Sequence, residues 1–232
     1  MSDARGRPYV VLSAAMSLDG YLDDASGTRL LLSNEADLDR VDGVRAECDA
    51  IMVGANTVRR DDPRLTVRSA TRRADRVSRG LPPSPTKVTV TASGAIDAAA
   101  KFFTAGTASK LVYATSAAMT TLDERVAGLA TVVDAGPEIS LPALLAELAG
   151  RGIGRLMVEG GTAMHTQFLL AGLADELHVV VAPFFVGDST APRFVLDGRF
   201  PQNSGRRMEL AEARRIGDVV LLRYLGLARL LD

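Results

Sequence analysis

Residues 53–68, VGANTVRRDDPRLTVR, carry hydroxyl, carboxylate and guanidinium groups within one short stretch. An apolar run ends at Gly54, where small residues and the Thr57 hydroxyl follow, so we expect a buried strand that leads into a loop. Residues 61–63 (DDP) cannot continue a helix, because proline disfavours the helical conformation of the residue before it. Residues 65–68 then alternate between apolar and polar side chains. The stretch predicts a polar, stiffened loop with a functional role.

Two adjacent glycines, Gly160 and Gly161, stand between an apolar run and a helical pattern. Residues 155–158 (RLMV) predict a buried strand, and residues 163–173 (AMHTQFLLAGL) predict a helix. Backbone N–H groups at the start of such a helix form a site for the pyrophosphate of a dinucleotide. A Gly-Gly pair before a helix also occurs without any ligand, so the pattern alone leaves both interpretations open.

Arginine is concentrated in residues 59–79, where eight arginines against three aspartates give a local excess of +5. The arginines outside the stretch described above fit either a solvated, mobile loop or a cluster that meets phosphates. The whole chain has a formal net charge of −1. No global basic field therefore attracts nucleic acid or a membrane surface, and any anion binding must be local.

Other reactive side chains have more ordinary explanations. Cys48 is the single cysteine, which excludes an intrachain disulfide and favours a packed, inert thiol. His165 and His178 stand apart from any Cys/His cluster, so each is expected to be a packed or surface histidine, and we expect no metal site. Asp19-Gly20 follows the first strand and fits an ordinary turn as well as a catalytic role. No side chain stands out as a proton donor, and the catalytic residue stays unassigned.

Strand and helix patterns alternate along the chain, which predicts an α/β fold with a mostly parallel central sheet and helices on both faces. The predicted strands are residues 9–15, 49–54, 87–91, 110–114, 131–134, 155–158 and 176–182. The predicted helices are residues 35–48, 122–129, 141–149 and 163–173. Gly217-Asp218 joins two extended runs into a hairpin that should close the sheet in antiparallel fashion. With 232 residues and 47% hydrophobic content, the chain suits a single domain over residues 1–232.

The motif G-x-x-T-V-x-x-D-D-P-x-L-T-V-R after a strand resembles the riboflavin-biosynthesis pyrimidine reductases, the family of the RibD C-terminal domain, which share the dihydrofolate reductase fold. Four further stretches agree in the same order: Ser17-Leu18-Asp19-Gly20, Val44-Arg45-Ala46, Val158-Glu159-Gly160-Gly161-Thr162, and residues 172–177 (GLADEL) running to Ala182-Pro183. The resemblance covers about residues 8–225 and implies a three-layer α/β reductase domain.

The resemblance implies an oxidoreductase that uses NADPH to reduce the ribosylamino side chain of a pyrimidine 5′-phosphate to a ribitylamino chain. It implies cofactor contacts at nine positions, namely Ala15, Leu31, Thr57, Asp61, Ser93, Gly160, Gly161, Thr162 and Ala163. It implies substrate contacts at five positions, namely Arg29, Arg45, Leu65, Arg68 and Glu159. Arg45 and Arg68 would clamp the sugar phosphate, although Arg45 by itself could also be a surface cation that complements the carbonyl end of its helix.

Three departures from the family pattern bear on the site. Ser13 stands where many bacterial members carry a lysine close to the pyrimidine. Arg29 and Leu31 stand where the bacterial pattern has serine and tryptophan, so a large apolar wall on the cofactor side is missing, and Arg29 could add a phosphate contact or face solvent. The chain has no Cys/His motif for a zinc deaminase, so we expect a stand-alone reductase. Its substrate could be the deaminated 5-amino-6-(5-phosphoribosylamino)uracil or the undeaminated 2,5-diamino pyrimidinone.

Two other functions stay open on the sequence. The same cofactor site could serve the reduction of a dihydrofolate-like or another heterocycle, or the chain could be a non-catalytic nucleotide-binding paralogue. The choice between NADPH and NADH is also open, because no arginine is assigned to a 2′-phosphate. The family further implies a homodimer. The N-terminal sequence and the single cysteine predict a cytoplasmic location, and we expect no nucleic-acid or membrane partner.

Overall fold

The computed structural model describes residues 6–26 and 30–226. Its strands are β1 (Tyr9–Ser17), β2 (Ala50–Gly54), β3 (Thr86–Thr91), β4 (Lys110–Ala114), β5 (Thr131–Asp134), β6 (Arg155–Val158), β7 (Glu176–Ala182), β8 (Glu209–Ile216) and β9 (Val219–Leu225). Its α-helices are α1 (Glu35–Glu47), α2 (Ala55–Asp61), α3 (Ala70–Ser78), α4 (Lys101–Thr104), α5 (Met119–Arg125), α6 (Leu141–Gly150) and α7 (Thr162–Leu170). Within the two described ranges, no helix is long and apolar enough to span a membrane.

The chain divides into two compact units, each made of two separate segments. Unit 1 comprises Met1–Tyr9 and Asp42–Met157, and unit 2 comprises Val10–Val41 and Val158–Asp232. The expectation of a single domain stays a prediction. Each unit has its own strands and its own buried apolar cluster.

Unit 1 is built on parallel strands. The strand order is β5-β4-β3-β2, with β6 next to β2, and the pairs β2–β3, β3–β4 and β4–β5 are parallel. Gly54 lies beside Val90, and Thr91 lies beside Ala114. The carboxyl ends of these strands therefore meet at one edge, and the polar residues that follow each strand are brought to that edge.

Unit 2 contains the antiparallel part of the fold. Strand β7 pairs in parallel with β1 and in antiparallel fashion with β9, which also pairs with β8. Gly217 makes the turn between β8 and β9 with a φ of 62°, a value that glycine adopts without steric cost. The predictions of a mostly parallel α/β fold and of a C-terminal antiparallel hairpin are confirmed.

The loop predicted after β2 is wrong, because the chain enters helix α2 directly at Ala55. The predicted stop is correct: Asp62 adopts a left-handed conformation with a φ of 42° and ends the helix. Its N–H group donates to the Val58 carbonyl at 3.2 Å. The stretch predicted to be functional thus begins with a helix of seven residues and a sharp turn, with Pro63 just beyond it.

Helix α3 also falls where no helix was predicted, within the arginine-rich segment. Arg76 is 2% exposed and donates to the carbonyls of Ala46 at 2.7 Å, Cys48 at 2.9 Å and Pro82 at 2.8 Å. Three carbonyl acceptors satisfy a guanidinium that burial would otherwise make costly. Arg76 therefore ties α3 to the end of α1, which fits neither a mobile loop nor a phosphate cluster.

Helix α4 is fixed by a buried lysine. Lys87 on β3 is fully buried, and its Nζ donates to the carbonyls of Phe102 at 2.9 Å and Ala105 at 2.6 Å. Carbonyl groups at the end of a helix lack intrahelical partners, and an ammonium group satisfies several of them at once. The position of α4 matters because its first residue contacts the turn at Asp62.

Candidate functional site

Arg45 and Arg68, the two predicted phosphate ligands, lie in one hydrogen-bonded network in unit 1. Arg45 is in the last turn of α1, and its Nη1 donates to the Thr66 carbonyl at 3.3 Å. Arg68 lies two residues beyond Thr66, and its side chain is 53% exposed. The structure therefore brings both guanidinium groups to the same segment, residues 66–69.

A buried carboxylate holds this segment. Asp42 on α1 is 2% exposed and accepts hydrogen bonds from the N–H groups of Arg68 at 2.5 Å and Ser69 at 3.1 Å. Its second oxygen also accepts from Arg72 Nη1 at 3.0 Å. Burial raises the pKa of the Asp42 carboxyl, but these three donors outweigh burial and the net pKa is lowered. Sequence reasoning missed Asp42, because its partners are distant along the chain.

Thr57 and Asp61, two predicted cofactor ligands, lie one turn apart on α2. Residues four apart face the same side of a helix, so the hydroxyl and the carboxylate can contact one ligand. Thr57 is half-buried and Asp61 is exposed. The adjacent Asp62 instead contacts the protein, since its Oδ1 accepts from Lys101 N at 2.6 Å and its Oδ2 lies 2.8 Å from Lys101 Nζ.

Ser93, the third cofactor ligand predicted in unit 1, is exposed in the turn after β3. This turn is joined to α2, because Arg59 Nη1 donates to the Ala95 carbonyl at 2.6 Å. Arg125 Nη1 donates to the Gly94 carbonyl at 2.8 Å. Thr57, Asp61 and Ser93 are thus presented by neighbouring elements at the carboxyl edge of the unit 1 strands.

Leu65, predicted to face the substrate, has its side chain in the apolar core of unit 1. The residue is 1% exposed and belongs to the cluster that contains Phe102 and Phe103. Its φ of 47° is rare for a leucine, and its packing holds the backbone in this conformation. The Leu65 residue as a whole is therefore part of the core, and its contact with a substrate stays a prediction.

In unit 2, the two glycines after β6 form a tight turn into helix α7. Gly160 has a φ of 136° and Gly161 a φ of 86°, both in the region that favours glycine. A Cβ at Gly160 would meet no atom within 4 Å, so the space beside the backbone is open. Gly161 is the N-cap, and among the described residues no side chain caps this helix. The turn and the N–H groups that follow it therefore fit a dinucleotide pyrophosphate.

The remaining predicted residues of unit 2 lie in different environments. Ala15 is half-buried on β1 beside Val180, whereas Leu31 is 70% exposed. Glu159 and Thr162 are half-buried, and Ala163 is exposed. The Thr162 hydroxyl donates to the Arg193 carbonyl. Arg29 lies outside the described residues.

Asp19 joins two turns in unit 2. Its carboxylate accepts from the Ser17 hydroxyl at 2.5 Å and from the N–H groups of Val186 at 3.1 Å and Gly187 at 2.8 Å. Desolvation raises the pKa of Asp19, but the hydrogen bonds from Ser17, Gly187 and Val186 prevail and lower it to about 2. This pattern matches a residue that fixes a turn.

The histidines and the cysteine are packed. Burial lowers the pKa of His165 to about 4, opposed only in part by the backbone of Ser13, so this ring is neutral at pH 7. His178 Nε2 lies 2.8 Å from Glu176 Oε1, and Cys48 is fully buried. Across residues 6–26 and 30–226, no three His, Cys, Asp or Glu side chains form a group suited to a metal.

The comparisons with known proteins agree with one another. The family model described as the RibD C-terminal domain matches residues 8–222. A relative from Archaeoglobus fulgidus is 38% identical over 213 residues, which are 91% of this chain and 95% of that protein. A relative from Methanothermobacter thermautotrophicus is 39% identical over 224 residues, covering 94% and 98% of the two chains. Both are named 2,5-diamino-6-ribosylamino-4(3H)-pyrimidinone 5′-phosphate reductase.

A solved structure of Acinetobacter baumannii RibD superposes with a TM-score of 0.76 at 26% identity. The match covers 95% of this chain and 58% of the RibD chain, so this chain spans little more than half of that protein. The family model and both relatives extend over nearly the whole sequence, and the same fold recurs in the solved RibD. The chain belongs to the RibD C-terminal domain family.

Proposed function

We propose that this chain is an NADPH-dependent oxidoreductase of riboflavin biosynthesis. Its proposed substrate is 2,5-diamino-6-ribosylamino-4(3H)-pyrimidinone 5′-phosphate, the undeaminated pyrimidine, whose ribosylamino chain it reduces to a ribitylamino chain. One observation carries this proposal: two relatives at 38% and 39% identity, matched over nearly their full lengths, are named for this reductase. By contrast, the match to a RibD relative from Bacillus amyloliquefaciens is 32% identical and covers 49% of the length of that protein.

The phosphate of this substrate fits the network around residues 66–69. Arg45 and Arg68 offer two guanidinium groups near one segment, and guanidinium groups bind phosphate through paired, charge-assisted hydrogen bonds. Asp42 neutralises part of the local positive charge but is buried. Glu159 is proposed to contact polar atoms of the base or sugar, and Leu65 is the further substrate contact proposed from the family resemblance.

The proposed cofactor contacts include the glycine turn before α7. In unit 2, Gly160, Gly161, Thr162 and Ala163 would hold the pyrophosphate at the start of α7, and Ala15 and Leu31 are the further proposed contacts. Thr57, Asp61 and Ser93 are the proposed polar contacts of the dinucleotide. When bound, NADPH supplies the hydride for the reduction.

The reduction adds a hydride to C1 of the open-chain sugar imine and a proton to its nitrogen, which gives the ribitylamino product. The protein's contribution is to fix the sugar by its phosphate and to hold it in place for the transfer. His165 does not supply the proton, because it is buried and neutral. We propose that the proton comes from water.

We also propose that the protein is a cytoplasmic homodimer. Leu210 and Val220 on the β8–β9 hairpin are apolar and are 54% and 42% exposed, which supports burial against a second copy. Sedimentation equilibrium should give twice the 24.5 kDa mass of the chain. A mass equal to one chain at micromolar concentration would contradict the dimer.

The proposed function is tested by following NADPH consumption with freshly prepared pyrimidine substrate, in its undeaminated and deaminated forms. We expect turnover of the undeaminated form and at most slow turnover of the other. Turnover of only the deaminated form would overturn the proposed substrate. Turnover of dihydrofolate alone, or saturable NADPH binding without any turnover, would support the other two functions considered from the sequence.

A further inference from the structure

Asp42 occupies a position that links the two arginines proposed to bind phosphate. It lies three residues before Arg45 on α1, and its carboxylate accepts from the backbone N–H groups of Arg68 and Ser69. Arg45 reaches the same segment at its other end through the Thr66 carbonyl. One face of a single helix therefore holds residues 66–69 at two points.

Other groups complete the hold on the backbone of this segment. The Val67 N–H donates to the Ser84 hydroxyl at 3.0 Å, and the Val67 carbonyl accepts from Arg73 Nη1 at 3.0 Å. The Arg68 side chain in turn projects outward, with Nε 3.8 Å from Asp42 Oδ1. The direction in which the Arg68 guanidinium points thus depends on a backbone that Asp42 fixes.

We propose that Asp42 is a positioning residue for substrate-phosphate recognition. Asp42 sets the placement of the Arg68 guanidinium relative to Arg45 and never contacts the substrate itself. This inference rests on the proposed function, because it needs a phosphorylated substrate at these arginines. The Asp42 carboxylate accepts hydrogen bonds from two backbone N–H groups and from one guanidinium, and therefore fixes the backbone that carries Arg68 relative to the helix that carries Arg45.

Asp42→Asn tests this role with little change in size. The amide retains one acceptor oxygen but places an NH2 group against the other donors, so part of the hold on Arg68 and Ser69 is lost. With the phosphorylated substrate we expect KM to rise about tenfold, the factor that corresponds to one hydrogen bond of moderate strength. The kcat and the KM for NADPH should change less than about twofold, since neither depends on the Arg68 direction.

Asp49→Asn is the matched control. Asp49 Oδ2 also accepts two backbone N–H groups, those of Gly154 and Arg155, both at 2.9 Å. This variant loses a comparable contact within unit 1, at a carboxylate whose backbone partners are Gly154 and Arg155 and not residues 66–69. We expect it to lower thermal stability without raising the KM for the phosphorylated substrate selectively.

The dephosphorylated nucleoside form of the substrate distinguishes a loss of phosphate binding from a general loss of activity in the variant. Asp42→Asn should leave its kcat/KM unchanged, because no phosphate reaches the arginines. Equal losses with both forms, or the same selective loss in Asp49→Asn, would overturn the positioning role. A wild-type enzyme that handles both forms equally well would instead refute the phosphate site.

Ribose 5-phosphate gives the same comparison without turnover. Its affinity for the wild-type protein, measured by calorimetry, should fall about tenfold in Asp42→Asn and stay unchanged in Asp49→Asn. Equal affinities in the wild-type and Asp42→Asn proteins would contradict the inference, whatever the chain reduces.

Discussion

The Arg68 side chain is 53% exposed, although its own N–H group is bonded to the buried Asp42 carboxylate. Arg72, four residues further along, uses its guanidinium on that same carboxylate. The Arg72 guanidinium hydrogen-bonds to Asp42, whereas Arg68 Nε lies 3.8 Å from it, so the first has a structural task and the second is the one proposed to bind phosphate. Residue type alone left these tasks open, which is why the arginine excess in residues 59–79 could not be assigned from the sequence.

Arg68→Ala should raise the KM for the phosphorylated pyrimidine by about ten- to hundredfold, because a charge-assisted hydrogen bond contributes about 1.5–3 kcal/mol. The KM for NADPH should stay within about twofold of the wild-type value. Steady-state kinetics with each substrate varied in turn gives both constants. Arg45→Ala should behave in the same way.

Arg64→Ala is the charge-matched control for these variants. Arg64 is exposed in the same arginine-rich stretch, residues 59–79, but is not part of the proposed site. The control should change neither KM by more than about twofold. If Arg64→Ala and Arg68→Ala raise the KM equally, the effect comes from net charge rather than from a defined phosphate site.

At the scale of elements, helix α2 is too short to be stable by its own hydrogen bonds, since isolated helices of this length are marginal in water. Contacts at its end must compensate. Asp62 ends the helix and accepts a hydrogen bond from Lys101, the first residue of α4. Helix α4 is in turn fixed by Lys87, which donates to the Phe102 carbonyl. The predicted cofactor ligands on α2 therefore depend on a chain of contacts that ends in a buried lysine.

Asp62→Ala should raise the KM for NADPH several-fold, because it removes both contacts to Lys101 and places alanine in a left-handed conformation. The KM for the pyrimidine should be unaffected. Asp62→Asn is the informative control, since asparagine tolerates this conformation and its oxygen can still accept from Lys101 N. Equal KM values for NADPH in the wild-type and Asp62→Ala proteins would show that the contact with Lys101 does not position the cofactor residues of α2.

Helix α3 shows why some elements could not be predicted from the sequence. Apolar periodicity identifies a helix by the side chains it buries, but the buried residue of α3 is Arg76, and Val77 is 56% exposed. Strands β1, β2 and β7 and helices α6 and α7 bury apolar side chains, and their patterns were interpreted correctly. The role of Asp42 could not be predicted for a related reason. Its partners Arg68 and Ser69 are more than twenty residues away along the chain, so the local sequence carries no signal of these contacts.

At the scale of the whole molecule, the order of strands and helices follows from the alternating sequence pattern, and the five family motifs add the reductase fold. The antiparallel hairpin was predictable from Gly217-Asp218. The division into two compact units was not, because it depends on which distant segments share contacts. The placement of the site residues likewise required three-dimensional contacts.

The stability of the fold should depend on His165 in mild acid. Its pKa is about 4 in the folded chain and 6.5 in the unfolded chain, so between these values only the unfolded state binds the proton. The free energy of unfolding should therefore fall as the pH drops from 6.5 towards 4, by up to about 3 kcal/mol from this residue. Above pH 6.5 the contribution is fully present.

Denaturant titrations of the wild-type and His165→Gln proteins at several pH values measure this effect. Glutamine does not ionise, so the variant should lose this part of the acid dependence while other groups still titrate. An identical pH dependence in both proteins would show that His165 is not the group responsible.

The most direct test of the central claim follows the hydride from cofactor to product. The protein is incubated with the undeaminated pyrimidine 5′-phosphate and NADPH that carries deuterium in the transferred position, and the product is analysed by mass spectrometry. We predict a ribitylamino product with one deuterium on the sugar carbon bonded to nitrogen. Oxidation of NADPH without deuterium in a ribityl chain, or no oxidation with this substrate, would contradict the proposed reductase activity.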